Sequence, residues 1–271
     1  MSKARGTVSV LIATHRRVQE LTRCVAAIAG QIGGFQIQLC IVNDGGETIL
    51  RDLILPRETS VELSLELIQL PSNVGQVAAL NAARSAASGE YIAFCDDDDR
   101  WLPHHLQDIF RMLPQSNADF FYSDAEIVVR SSNRQTLERF PFAFRDASAL
   151  LPKYNPIPPA TVLMTRRLVD VVGPFDEEMS HYWDWDYWLR ASQHSRLQRV
   201  PFCSVLYSVS ASGQNQSAHP EKMAPALRRL VEKHRLGSLP SSNFRQMADS
   251  PLLTDVRAHT VVSWDGSSTI W

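Results

Sequence analysis

The chain lacks a charge excess of either sign. Its 27 basic and 29 acidic residues leave a formal net charge of -2. That removes the electrostatic footprint of a nucleic-acid partner and the polybasic signature of a lipid anchor. Paired cysteines are also missing. Cys24, Cys40, Cys95 and Cys203 are scattered with no CxxC spacing, and three lie in apolar segments. Reduced core thiols are therefore expected rather than disulfides or zinc ligands. No run approaches the roughly 20 apolar residues that cross a bilayer. Residues 1–6 are short and polar, without the apolar core of a secretory leader. These features predict a soluble cytoplasmic protein without a transmembrane segment, with room for peripheral membrane association. No GxGxxG follows the first strand-like run, which disfavours a dinucleotide-dependent dehydrogenase. There is no internal repeat, and 271 residues suffice for one large α/β domain or two joined subdomains.

What the chain does carry is a series of polar strand ends. Val8-Ser9-Val10-Leu11-Ile12-Ala13 is a β-rich run that stops at Thr14-His15-Arg16-Arg17. Leu21, Val25 and Ile28 then recur at helical spacing. Residues 35–42 form a second apolar run, closed by Asn43-Asp44-Gly45-Gly46, and residues 65–70 a third. Pro71-Ser72-Asn73-Val74-Gly75 leads into an Ala-rich helix over 76–87, and residues 91–95 make a fourth strand. The alternation predicts βαβ units and a parallel, doubly wound sheet. Such sheets bind ligands beyond the carboxyl ends of their strands, where Thr14-His15, Asn43-Asp44 and residues 96–99 all fall.

The second half is less regular. The pattern predicts a helix over 101–113, strands at 120–122, 127–129 and 199–209, and a stiff Asn155-Pro156-Ile157-Pro158-Pro159. An aromatic-rich helix over 184–191 and an amphipathic helix over 221–236 follow. From Gly237 the chain is rich in Ser and Pro and reads as an arm, ordered only if it docks.

Asp96, Asp97, Asp98 and Asp99 follow directly on the apolar run Tyr91-Ile92-Ala93-Phe94-Cys95. Adjacent carboxylates at the end of a buried strand repel one another and lose water. A divalent cation with oxygen ligands, Mg²⁺ or Mn²⁺, holds them together and can clamp a diphosphate. The plainer alternative is an acidic turn capping the next helix. Asp44 can accept from a base or ribose, or sit in an ordinary Asp-Gly turn. Asn73-Val74-Gly75-Gln76 opens a helix whose N–H groups suit an anion, or simply caps it. In Tyr182-Trp183-Asp184-Trp185-Asp186-Tyr187-Trp188, aromatics bracket carboxylates as in a carbohydrate subsite. Against that, Asp184 can be an N-cap, Asp186 can pair with Arg190 at i+4, and some tryptophans must be core.

In order and spacing, these motifs resemble the family 2 glycosyltransferases of the GT-A fold. The match runs over the first strand, Ile41-Val42-Asn43-Asp44-Gly45-Gly46, Asn73-Val74-Gly75, Leu80-Asn81, and residues 87–101. It continues in Val172-Gly173-Pro174-Phe175-Asp176-Glu177 and Trp183-Asp184-Trp185-Asp186-Tyr187-Trp188-Leu189-Arg190. The resemblance implies an α/β GT-A fold: a Rossmann-like, mostly parallel central sheet flanked by helices, with a mixed acceptor-binding half. It also implies an inverting, metal-dependent transfer of sugar from a nucleotide-diphospho-sugar, UDP-linked, to an acceptor hydroxyl in glycan or secondary-metabolite assembly. Asp96-Asp97-Asp98 matches the DXD motif, with Asp98 and Asp96 on Mn²⁺ or Mg²⁺. Thr14 and Asp44 match positions holding base and ribose, and His15, Arg17, Asn73, Gln76, Asp96 and Asp97 complete the expected nucleotide site. Asp184 matches the catalytic base, with Asp186 as runner-up. Tyr182, Trp183 and Trp185 are expected to contact sugar or acceptor, which is a carbohydrate, a lipid-linked glycan or a small molecule.

Three departures stand out. Trp183 replaces an acid before the catalytic Asp, Leu80 replaces an Arg beside Asn81, and Tyr207-Ser208-Val209-Ser210 lacks the basic residues of the family's Tyr-Arg-x-His block. His219, Lys222, Arg16 or Arg17 could substitute. The expected division is 1–124 for the nucleotide-sugar, 125–236 for the acceptor, and 237–271 as an arm, through which a homodimer could form. The rival functions are a sugar-nucleotide nucleotidyltransferase and a non-catalytic sugar-nucleotide-binding module.

Overall fold

The computed structural model describes residues 6–211, 220–240 and 242–266. Residues 8–12 and 37–44 are buried without alternation, as in strands covered by helices on both faces. In chain order the elements are β1 (Thr7–Thr14), α1 (Val18–Ala29), β2 (Gln36–Asn43), α2 (Arg51–Ile54), β3 (Glu62–Gln69), α3 (Gln76–Ala86), β4 (Tyr91–Phe94) and β5 (Arg100–Trp101). There follow α4 (His105–Met112), β6 (Phe120–Arg130), β7 (Thr136–Phe142), α5 (Ala147–Leu150), β8 (Val162–Thr165), α6 (Arg166–Val172) and α7 (Trp183–Ala191). The last are β9 (Leu197–Ser210), α8 (Pro220–His234), α9 (Phe244–Asp249) and β10 (Val261–Val262).

One sheet runs β10-β9-β6-β8-β4-β1-β2-β3, with β5 paired to β9 and β7 to β6. Strands β3, β2, β1 and β4 are parallel. Strand β8 is antiparallel to β4, and β6 is antiparallel to β8. That points β6 the same way as β4, and β9 runs parallel to β6. The carboxyl ends of β1, β2, β4, β6 and β9 thus share one edge. Two apolar layers cover the sheet. Val8, Val10 and Ile12 of β1 join the layer holding Leu21, Ile54 and Ile109, while Leu11 joins the layer holding Val77, Leu168 and Trp188. This is the alternation of a strand between two helical faces. All four cysteines are free and buried, and the Cys24 and Cys95 sulfurs are 3.5 Å apart.

Several expectations change. The helix over 101–113 is shorter, because Trp101 is drawn into the sheet as β5. Its indole N–H donates to the Ala160 carbonyl at 2.8 Å, and this buried anchor overrides helical pattern. Asp99 is consequently not a helix-start residue, since α4 begins six residues later. The strands at 120–122 and 127–129 are one strand, β6, with register shifts from Ser123 to Ala125. The division after residue 124 falls inside β6, so both halves share a sheet. The arm docks: Met247, Leu253 and Trp264 are buried, and β10 extends β9. Met247, Leu253 and Trp264 pack within the chain while Leu252 and Val261 stay exposed, and the dimer expected through the arm finds no support. Among the described residues no helix is long and apolar enough to cross a membrane.

Candidate active site

Strand order reverses between β1 and β4, and a crevice opens at that switch point. The Thr14 hydroxyl bridges it, donating to Asp97 Oδ2 at 2.7 Å. Beside it, β2 ends in Asp44, whose carboxylate is heavily engaged. Oδ1 accepts from the Val74 N–H at 2.7 Å; Oδ2 accepts from the Gly75 N–H at 2.9 Å and Asn73 Nδ2 at 3.0 Å. His15 Nδ1 donates to the Asp44 carbonyl at 2.7 Å. Three of about four lone-pair sites on the carboxylate are therefore filled, and Asp44 ties the loop before α3 to the sheet. Gly45 is required where this loop approaches: its φ is +79°, and a Cβ there would meet Asn73 N at 2.6 Å.

The four aspartates form a tight turn carrying the chain from β4 to β5, with the Asp99 N–H donating to the Asp96 carbonyl at 3.0 Å. The turn wraps around Arg100, which is fully buried. Its Nη1 donates to the Asp97 and Asp99 carbonyls at 3.1 and 2.7 Å, and its Nη2 to Glu20 Oε2 at 2.9 Å. Asp99 turns inward, where Oδ1 accepts from the Ser208 N–H of β9 at 2.9 Å. Burial, followed by the charges of Asp98 and Asp96, holds Asp99 well above the usual carboxylate range. Asp96, Asp97 and Asp98 face the cleft instead. Gln76 Nε2 reaches Asp96 Oδ1 at 3.1 Å, and Arg17 spans Asp97 and Asp98 at 3.1 and 2.8 Å. Burial pushes Asp96 up to about 7, helped by Asp98, Asp97 and Asp184. Burial also pushes Asp97 up to about 7, against the pull of Arg17.

Carboxylates forced toward neutrality in this way fit a hard divalent cation, which relieves both their repulsion and their lost hydration. Among the described residues no group of three or more His, Cys, Asp and Glu side chains forms a ready metal cage. That donor set suits a cation such as Mg²⁺, which takes one or two protein carboxylates and completes its shell with water and phosphate.

Across the cleft, α7 supplies Asp184. Asn155 Nδ2 donates to Asp184 Oδ2 at 2.7 Å. Burial, partly offset by hydrogen bonds from Trp185 and Asn155, pushes Asp184 up to about 6. Asp186, two residues on, points elsewhere. It meets Arg190 Nε at 3.0 Å, Lys233 Nζ at 2.7 Å and His234 Nε2 at 2.7 Å. Burial alone would raise it, but hydrogen bonds from His234 and Lys233 and the charge of Arg190 win and bring it down to about 2.

A cleft of about 1200 Å³ brings together Thr14, His15, Arg17, Asp44, Asn73, Gln76, Asp96, Asp97, Asp98, Tyr182, Trp183, Asp184 and Trp185. Asp186 is absent from its lining. Trp183 and Trp185 are largely buried, and Trp185 Nε1 donates to the Leu151 carbonyl at 2.8 Å. Both line the cleft, while Tyr182 is more open. Of the proposed substitutes for the missing basic residues, Arg16 and Arg17 line the cleft; His219 and the side chain of Lys222 lie outside the described residues.

Residues that sequence reasoning missed include Asn155, Arg100, Glu20 and Tyr207. The buried Tyr207 hydroxyl is held well above its usual range by burial and then by Asp99, Asp96, Asp184 and Asp98, so it stays protonated among the carboxylates. The hairpin tip between β6 and β7 also reaches the cleft, where Arg134 pairs with Glu20 at 2.8 Å. Asn155 carried a signal, the rigid proline segment behind it. The others had none: Glu20 meets Arg100 and Arg134 only through the fold, from positions far along the chain.

The sequence model described as "Glycosyl transferase family 2" matches residues 9–205. The chain is 36% identical over 263 residues to an uncharacterized glycosyltransferase, YwdF, of Bacillus subtilis, covering 96% of each chain. It is 24% identical over 220 residues to UDP-Glc:alpha-D-GlcNAc-diphosphoundecaprenol beta-1,3-glucosyltransferase WfgD of Escherichia coli, covering 79% of this chain and 81% of that one. Among solved structures, S. aureus TarS residues 1–349 in complex with UDP-GlcNAc has a similar fold, with a TM-score of 0.60 at 18% identity. The likeness covers 89% of this chain and 70% of that one.

Proposed function

Within glycosyl transferase family 2, to which this chain belongs, we propose that the cleft transfers a sugar from a UDP-sugar to an acceptor hydroxyl, with inversion. One observation carries the reading. Asp184, pushed up to about 6 and oriented by Asn155, shares a cleft with the acidic turn closely enough to raise Asp96. A base and a leaving-group site on opposite walls suit in-line displacement, in which the acceptor oxygen attacks the anomeric carbon as the bond to diphosphate breaks. Asp184 takes the proton of that hydroxyl from the attack side. Near pH 7 a carboxylate of this kind is ionised and more basic than an exposed one.

Thr14, Asp44 and the loop at Asn73 supply the walls for base and ribose. Asp98, with Asp96, would hold Mn²⁺ or Mg²⁺, and that ion would offset charge growing on the departing diphosphate. Asp99, engaged with Ser208, lines the turn from behind. Tyr182, Trp183 and Trp185 offer apolar surface to the sugar or the acceptor. The activity named for WfgD favours a lipid-linked sugar diphosphate as acceptor class, in glycan assembly.

Calorimetry with UDP, with and without Mn²⁺, tests the donor site. Metal-dependent binding is expected in the wild type and its loss in Asp98→Ala. Failure of the wild type to bind UDP or any UDP-sugar with either metal would sink the reading.

A further inference from the structure

Arg17 occupies the N-cap position of α1, yet its side chain makes no capping bond. It crosses instead to the acidic turn and grips two carboxylates. Nη1 lies 3.1 Å from Asp97 Oδ1 and Nη2 lies 2.8 Å from Asp98 Oδ2. The other oxygen of Asp97 is taken by the Thr14 hydroxyl at 2.7 Å. The Arg17 side chain remains 45% exposed, so it can leave the carboxylates without unpacking the core. Of the other arginines, Arg16 lines the same cleft without touching the acidic turn, and two more are committed elsewhere. Arg100 holds the turn's carbonyls and Glu20, and Arg134 pairs with Glu20. At the end of β9, Tyr207-Ser208-Val209-Ser210 delivers no cation.

We propose that Arg17 is an exchangeable counter-ion: it neutralises Asp97 and Asp98 before the donor arrives, yields Asp98 to a divalent cation, and passes its guanidinium to the donor's diphosphate. The proposal rests on the reading of the cleft as a nucleotide-diphosphate site. Its chemistry suits both partners, because the planar guanidinium fork matches carboxylate and phosphate oxygens alike. While Arg17 holds Asp98, it competes with any cation for the lone pairs of that carboxylate. A diphosphate gives it another anion and ends that competition. Cation and nucleotide then bind cooperatively, each strengthening the other. The same side chain supplies the positive charge that the end of β9 lacks.

The test titrates wild type, Arg17→Gln and Arg17→Lys with Mn²⁺ alone, then with UDP at saturating Mn²⁺, by calorimetry. Circular dichroism and melting first establish that each variant is folded. Arg17→Gln should bind Mn²⁺ alone about tenfold more tightly and UDP about tenfold more weakly. Arg17→Lys should fall between on both, and it carries the comparison if Arg17→Gln does not fold. Weaker binding of both ligands would make Arg17 a prop for the acidic turn and overturn the exchange. Unchanged affinities for both would also overturn it. Wild-type protein that binds no UDP overturns the donor-site reading itself, a result separable from the others because no variant is needed to see it.

Discussion

Asp184 and Asp186 stand two residues apart on one helix and meet opposite environments. Asp184 is enclosed with a single neutral side-chain donor, Asn155, and is pushed up to about 6. Asp186 is enclosed with Arg190, Lys233 and His234 and is brought down to about 2. Burial acts on both in the same direction, so the cations make the difference. A buried carboxylate without cations keeps its appetite for a proton, which is what a base requires. A buried carboxylate held by Arg190, Lys233 and the His234 ring becomes a tie between elements, here between α7 and α8. The acidic turn repeats the contrast at close range: Asp97 is pinned by Thr14 and Arg17, while the Asp96 carboxylate meets the amide of Gln76.

Removing each charge in turn is the strongest test of this division of labour. Asp184→Asn keeps the side-chain shape but removes the proton acceptor. Turnover of a UDP-sugar donor should fall by about 10²–10⁴-fold, with UDP affinity unchanged by calorimetry. A parallel loss of affinity would place Asp184 in donor binding and break the comparison. Asp186→Asn should act on stability instead. It leaves Arg190, Lys233 and His234 facing an amide, and unmaking a buried ion cluster from one side costs about 3–5 kcal/mol. Urea denaturation measures that loss, and turnover per folded molecule should hold. A variant of normal stability with collapsed turnover would show that Asp186, not Asp184, is the base.

The sequence carried the first half of the chain well and the second half poorly, for a physical reason. In β1, β2 and β4 the polar group follows directly on a buried apolar run, so strand end and site residue are read together. Asp99 reads from the sequence as a helix-start residue, because sequence shows adjacency, not direction. The Ser208 N–H that claims it comes from β9, more than a hundred residues away. Trp101 fits a helical pattern until Ala160 accepts its indole N–H. The arm beyond Gly237 has little periodicity because its few apolar anchors, Met247, Leu253 and Trp264, dock singly. Asp184 could be ranked above Asp186 by the i+4 spacing of Asp186 and Arg190 and by resemblance; the other partners that separate them lie on α8 and in the proline segment.

The smallest expected effect sharpens the comparison most, because it reads the two carboxylates through stability rather than turnover. Asp184 holds its proton more tightly folded, at about 6, than unfolded, near 4. Between those values the folded state binds more protons, so stability falls as pH rises from about 4 to about 6 and stays lower above. Asp186 has the opposite sign. With its folded value at about 2, its contribution is present above about pH 4 and is lost as pH falls toward 2. Asp96 and Asp97 slope the same way as Asp184, so wild type alone does not isolate it. Asp184→Asn does, because the amide oxygen can keep the Asn155 hydrogen bond while the buried charge disappears. Urea midpoints should coincide for the two proteins near pH 4, and the variant should be more stable by roughly 2 kcal/mol at pH 8. A variant less stable than wild type at pH 8 would mean that the Asp184 carboxylate, like that of Asp186, is compensated in the fold, and would remove the electrostatic ground for its role as base.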